Sequence, residues 1–339
     1  MKRAGSSVLR GAQAAMLTIG ALIVSAMVGS AAESPPLQLE AKIPLGQVSG
    51  RIDHMAVDIK RQRLFVAELG NNTLGVVDLA GGKLLQTITG LKEPQGVGYE
   101  PSGDMIYVAN ARDGSVHLFQ GSDLAPAGTI ELGKDADNIR IDGAGRRVIV
   151  GYGEGALAVI DATTRRKIGD VRLKAHPEGF QLDSEAQRIF VNLPDDRGIA
   201  VVDSAAGKEI AAWPQAGRNG NYPMALDHAR QHVLAVFRSP AVLAAFAMAD
   251  GAAVAKIQTC GDSDDVFVDA KRQRAYVSCG EGFLDVFDLQ ATPMTRIARA
   301  PTAAGGRTSL FIPELDRLVI AVPARGAQVA AIWVFRPLP

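Results

Sequence analysis

From about residue 55 onward the chain alternates between short apolar runs and short polar breaks, with no longer rhythm inside the runs. HMAVD ends at Asp58; a polar turn follows, then LFVAE, a loop, LGVVDL, another turn and the weaker KLLQTI. Runs of this length, rich in Val, Ile, Leu and Phe and bounded by Gly, Asn, Asp and Pro, read as strands. A helix needs a 3.6-residue period over at least ten residues, and none is found.

The unit then repeats. Residues equivalent to Asp58 are Glu100, Asp142, Asp183, Asp227, Asp269 and Ile312, spaced by 42, 42, 41, 44, 42 and 43 residues. The second run recurs as IYVAN, VIVGY, IFVNL, VLAVF, AYVSC and LVIAV. The third recurs as VHLFQ, LAVID, IAVVD, LAAFA, LDVFD and VAAIWVF. Four strands every forty-odd residues predict one blade of a β-propeller, and seven copies predict an all-β, seven-bladed ring. The runs are nearly continuous because each blade buries both faces against its neighbours. The last repeat stops at its third strand, VAAIWVFRPLP. LQLEAKIPLG (Leu37–Gly46) is therefore expected to serve as its outer strand and close the ring, removing an exposed edge. A solenoid would need capping repeats instead.

Residues 1–32 read differently. Lys2, Arg3 and Arg10 precede an uncharged apolar stretch, Ala12–Val28, and then Gly29-Ser30-Ala31-Ala32. That order predicts a secretory signal cleaved after Ala31 or Ala32, with a membrane anchor as the alternative. The remainder, 33–339, is then a single propeller domain in the periplasm or outside the cell, not embedded in a membrane, and read as a monomer.

Met105-Ile106-Tyr107-Val108-Ala109-Asn110, within PSGDMIYVAN, and the recurrent V-[VI]-D ending of the third strand resemble the YVTN-repeat (YncE-like) β-propellers of exported bacterial proteins. The resemblance covers residues 37–339 and implies a binding module. Two departures stand out: VLAVF and LVIAV lie far from the consensus, and no WD dipeptide ends the third strands.

Composition narrows the function. With 36 basic and 36 acidic residues the formal net charge is zero, which argues against a nucleic-acid or membrane-surface binder. The charges are unevenly placed, however. The four residues from seven to four before each anchor total −6, and the five residues after it total +7. Those before the anchor precede the axial strand, so they meet round one mouth; those after it form the opposite turns. Lys60, Arg61, Arg63, Lys271, Arg272 and Arg274 are expected there as solvated hairpin tips.

Five residues before the anchors stand Asp53, Gln95, Asp137, Glu178, Tyr222, Asp264 and Arg307. A turn built for shape alone would reuse one residue type. The variety points instead to a binding mouth, with Arg51, Asp53, Gln95, Asn138, Tyr222, Asp265 and Arg307 as ligand contacts. Asp53, Asp137, Glu178 and Asp264 form a hard-oxygen set suited to Ca²⁺ or Mg²⁺. Such residues also serve as caps for backbone amides. Arg307 has two readings, an ion pair with Asp264 or a clamp on a substrate carboxylate.

His54, His176 and Glu178 are the acid–base candidates if the protein is an enzyme, with metal-assisted lactone hydrolysis or a lyase reaction as the form. A protein-interaction platform is the third reading. Cys260 and Cys279 lie on antiparallel neighbours of repeat six. A disulfide is expected in an oxidising compartment, and a soft-metal thiolate pair is the alternative.

Overall fold

The computed structural model describes residues 35–339, so the expected signal segment lies outside the described residues. Seven four-stranded antiparallel sheets account for all 28 strands. Six of the sheets run in simple sequence order, innermost strand first. The innermost strands are β2 (Met55–Asp58), β6 (Pro94–Glu100), β10 (Ala136–Asp142), β14 (Phe180–Asp183), β18 (Asn219–Asp227), β22 (Ser263–Asp269) and β26 (Thr308–Ile312). Blades are numbered one to seven in this order.

The seventh sheet closes the ring. Its order places β1 (Leu37–Pro44) outside β28 (Ala331–Pro337), then β27 (Arg317–Val322) and β26. β1 runs antiparallel to β28, with Ile43 opposite Ile332 and Leu37 opposite Pro337. Ile43, 2% exposed, packs with Val319, Ile332 and Leu45 in a cluster that also takes in Leu64 and Val77 of blade one. The closure therefore seals a seam between the last blade and the first.

Burial follows position in the blade. The second strand of blade two, Met105–Asn110, is buried at every residue, because both faces meet neighbouring sheets. The outer strand Pro126–Glu131 of the same blade is mostly exposed, since its edge and part of its faces meet water. This explains why outer strands look weak in the sequence: fewer positions demand an apolar side chain.

The anchor carboxylates have a structural task. Asp58, Glu100, Asp142, Asp183, Asp227 and Asp269 are buried. Each accepts the backbone N–H of the turn that follows, from Arg61, Gly103, Gly145, Ala186, Arg230 and Arg272 respectively. Blade seven has Ile312 there and makes a single 3-10 turn over Pro313–Leu315 instead.

Lys60 and Lys271 are exposed as expected, but the arginines of these turns are not solvated tips. Arg61 reaches from Asp58 to both oxygens of Asp104 in the next blade, at 2.8 Å each. Arg272 joins Asp269 (3.0 Å) to Asp316 (2.7 Å) across the next seam. Arg63 donates to the Gly121 and Ser122 carbonyls, and Arg274 to the Leu338 carbonyl. A hairpin tip in a ring borders the next blade, so its long cations act as latches between sheets. Arg147 and Arg188 do the same through the Ser204 and Met248 carbonyls.

Candidate functional site at the axial mouth

The inner strands of all seven blades line a central cavity of about 460 Å³. Its walls are mainly apolar (Val97, Ile139, Ile141, Leu182, Val266 and Leu310 among them), with His54, Arg140, Asp265 and Ser309 on one side and His228 beyond. The residues just ahead of these strands are packed blade to blade. His54 N–H donates to the Gln95 carbonyl (3.2 Å), and Gly179 N–H to the Tyr222 carbonyl (2.9 Å). Glycine is required at Gly96 and Gly179 for this approach, because a Cβ would stand 1.9 Å and 2.3 Å from the next blade's carbonyl oxygen.

The sequence-expected residues divide into two groups. In the first, Arg51 pairs with Asp53 at 2.6 Å and Asp264 lies between Arg238 (2.7 Å) and Arg307 (2.9 Å). Arg307 and Arg238 also reach Asp262, at 2.9 and 3.5 Å. Arg307 is therefore an ion-pair partner of Asp264. His54 stands between Asp53 (3.7 Å) and Asp265 (3.8 Å), and Asp265 accepts the Ser309 N–H at 2.7 Å. Gln95 accepts a long bond from Arg51 (3.4 Å), and Asn138 accepts from Arg140 (3.1 Å). Tyr222 lies under the Arg238 guanidinium, 4.0 Å from the ring centre.

In the second group, one donor atom each from Asp137, His176 and Glu178 lie within 4.8 Å of one another. The four carboxylates expected to hold Ca²⁺ or Mg²⁺ are thus separated. Asp137 and Glu178 come together and are joined by an imidazole, whereas Asp53 and Asp264 face arginines. Guanidiniums compete for the same oxygen lone pairs that a metal needs.

Burial is the chief influence on the titrations. It pushes Asp265 up to about 7 against the pull of His54, and Asp53 likewise upward. Burial and the charge of Asp137 push Glu178 well above the usual carboxylate range. Burial also opposes charge on the two histidines, yet their carboxylate neighbours outweigh it: Asp53 and Asp265 raise His54, and Asp137 with the Gly153 carbonyl and Asp135 raises His176. Both shifts run toward the cation, and His176, raised to about 9, is in the wrong state for a general base at neutral pH.

Cys260 and Cys279 are joined by a disulfide, which leaves no thiolate for a soft metal. Two mouth residues escaped the sequence reading. Arg238 stands eleven after its anchor, where the other repeats carry Leu69, Ala111, Gly153, Pro194, Gly280 and Pro323. Arg140 stands two before, alongside Ala56, Gly98, Gln181, Ala225, Phe267 and Leu310. The same test of unlike residues at equivalent positions, applied at those two offsets, would have exposed both.

No protein-family model matches the chain, and no curated protein matches it in sequence. Among solved structures it is similar to Kuenenia stuttgartiensis hydrazine synthase, with a TM-score of 0.73 and 15% identity over 87% of this chain and 95% of that one. It is also similar to the WD40 repeats of RRP9, with a TM-score of 0.75 and 10% identity over 88% of this chain and 99% of that one. The shared property is the fold. Among the described residues no helix is long and apolar enough to cross a membrane.

Proposed function

We propose that this chain is an exported binding protein of the YVTN-repeat type whose axial mouth takes up a cation, either a divalent metal ion or a small organic ammonium. The carrying observation is a local shortage of positive charge. Seven carboxylates (Asp53, Asp135, Asp137, Glu178, Asp262, Asp264 and Asp265) are packed with four guanidiniums, those of Arg51, Arg140, Arg238 and Arg307. Part of the imbalance is met by protons: Glu178 and Asp265 are pushed toward the neutral acid, and His54 and His176 toward the imidazolium. Burial is the larger cause of the carboxyl shifts and the crowding of carboxylates adds to it for Glu178; an excess of carboxylates in a concave, low-dielectric mouth attracts cations. Export rests on the charged, apolar, small-residue order of residues 1–32. The hydrolase alternative is weaker, because both histidines are shifted toward the imidazolium and away from the free base.

The test is thermal melting of the mature chain with Mg²⁺, Ca²⁺, Mn²⁺, Zn²⁺, putrescine or choline, and with sodium sulfate as an anion control. At least one cation is expected to raise the melting temperature; a ligand at a hundred times its Kd adds about 2.7 kcal/mol. The gain should shrink in Glu178→Gln. No shift with any cation, or an equal shift with sulfate, rejects the reading.

A further inference from the structure

We propose that the seam between blades three and four holds a first-row transition-metal ion of the Zn²⁺ or Co²⁺ class, bound by Asp137, His176 and Glu178. This deepens the cation reading above and rests on it, because it names the class of ion for the same mouth. The three side chains come from two well-separated turns. Asp137 is the second residue of the inner strand of blade three, while His176 and Glu178 flank Pro177 ahead of blade four.

Three geometric facts converge. The donor atoms lie within 4.8 Å of one another. His176 Nδ1 donates to the Gly153 carbonyl at 2.6 Å, so the second ring nitrogen is oriented toward the cluster. Ligating histidines commonly fix their tautomer in this way. His176 Nε2 stands 3.8 Å from Asp137 Oδ2, too far for a hydrogen bond. Ligands at about 2.0–2.1 Å from a tetrahedral ion stand roughly 3.4 Å apart, so the His176–Asp137 pair must close by about 0.4 Å and no pair of the set by more than about 1.4 Å.

The independent sign is an oxygen without a partner. The Asp137 side chain is only 7% exposed, yet its Oδ1 has no hydrogen-bond donor among the described residues. Buried carboxylate oxygens are seldom left so, and a bound ion supplies the missing partner. Asp135, 3.5 Å from the His176 Nδ1, adds negative charge on the far side of the ring and strengthens it as a ligand.

The donor set selects the ion. One imidazole with two carboxylates suits Zn²⁺, Co²⁺, Mn²⁺ or Fe²⁺, whereas Ca²⁺ needs six to eight oxygens. The oxygens of Asp53 and Asp264 that would extend such a shell are held by arginines. Three protein ligands leave at least one position open, facing the mouth, for water or an exchangeable ligand.

The experiment uses the mature chain stripped with a chelator, then titrated with Co²⁺ while visible absorption is followed. One Co²⁺ per chain with ligand-field bands is expected, displaced by Zn²⁺ and not by Ca²⁺ or Mg²⁺. His176→Asn and Asp137→Asn, each first checked for a native melting transition, should lower Zn²⁺ affinity at least tenfold. His117→Asn, on a strand of blade two outside the cluster, should leave it unchanged. Absent bands in the wild type, which needs no variant, overturn the assignment. So does a loss in His117→Asn equal to that in His176→Asn. If Mg²⁺, Ca²⁺ or putrescine stabilises the protein while Co²⁺ stays colourless, this assignment falls and the broader cation reading stands; if no cation acts, both fall.

Discussion

Asp265 is the clearest single test of how the mouth manages charge. Burial lifts its carboxyl to about 7, from an ordinary value near 3.8. A carboxyl raised on folding binds more protons in the native state than in the unfolded one. Its favourable contribution is therefore complete below about pH 4 and is lost as pH rises toward 7. Asp265→Asn keeps an oxygen for the Ser309 N–H and removes the titration. The variant should melt close to the wild type at pH 4 and above it at pH 8, by several degrees; a gap that stays flat with pH refutes the assignment. At Gly179 the consequence is steric. Gly179→Ala sets a methyl against the Tyr222 carbonyl and should cost about 1–3 kcal/mol, read from denaturant unfolding. The mouth was legible in the sequence as far as repeat equivalence reaches: Asp53, Asp137, Glu178, Asp264 and Arg307 stand at one offset, and the ring brings that offset to one place. The Arg307–Asp264 pair was one of two readings the sequence offered, but the other pairings were not legible. Arg238 arrives from the end of a second strand and takes Asp264, a pairing that depends on side-chain reach across a seam.

Among the elements, the strands themselves were readable, down to outer ones such as KLLQTI, which is the observed Lys83–Ile88. Apolar runs report burial, and a strand with neighbours on both sides must be apolar throughout. The polar turns were misread for a related reason. Sequence gives the charge of a tip, whereas its neighbour is fixed only by the closed ring. Arg272 is the sharpest case, bound to Asp269, to Asp316 and to the Pro337 carbonyl, with a side chain only 10% exposed. Arg272→Ala should destabilise by roughly 3 kcal/mol, because it strands the buried Asp269. Arg272→Lys should recover only part, since an ammonium cannot bridge both carboxylates in one plane. The Cys260–Cys279 disulfide acts inside one blade, its cysteines 19 positions apart in sequence, and its reduction should remove about 3 kcal/mol. A reduced and an oxidised sample with equal melting temperatures contradict that.

For the whole molecule, closure makes the two ends neighbours. The Leu338 N–H donates to the Pro36 carbonyl at 2.8 Å, beside the β1–β28 pair. A permuted chain joining residue 339 to residue 36 through a short Gly/Ser linker, and opened at the exposed Asp195–Asp196 turn, should fold and melt within a few degrees of the parent. Deleting residues 35–44 should do the opposite. β28 then presents a free edge, and the product is expected to elute as higher oligomers and to melt over a broad range.

The same seam imposes an order in time. Residues 37–44 and 331–337 lie at opposite ends of the ring's sequence, and β1 has no strand neighbour until β28 is in place. The first strand of the ring must wait, unpaired, for the last, and the circle locks only once blade seven is assembled. A chain that loses β28 is left unlatched, so the ring fastens only when both strands of this seam are present.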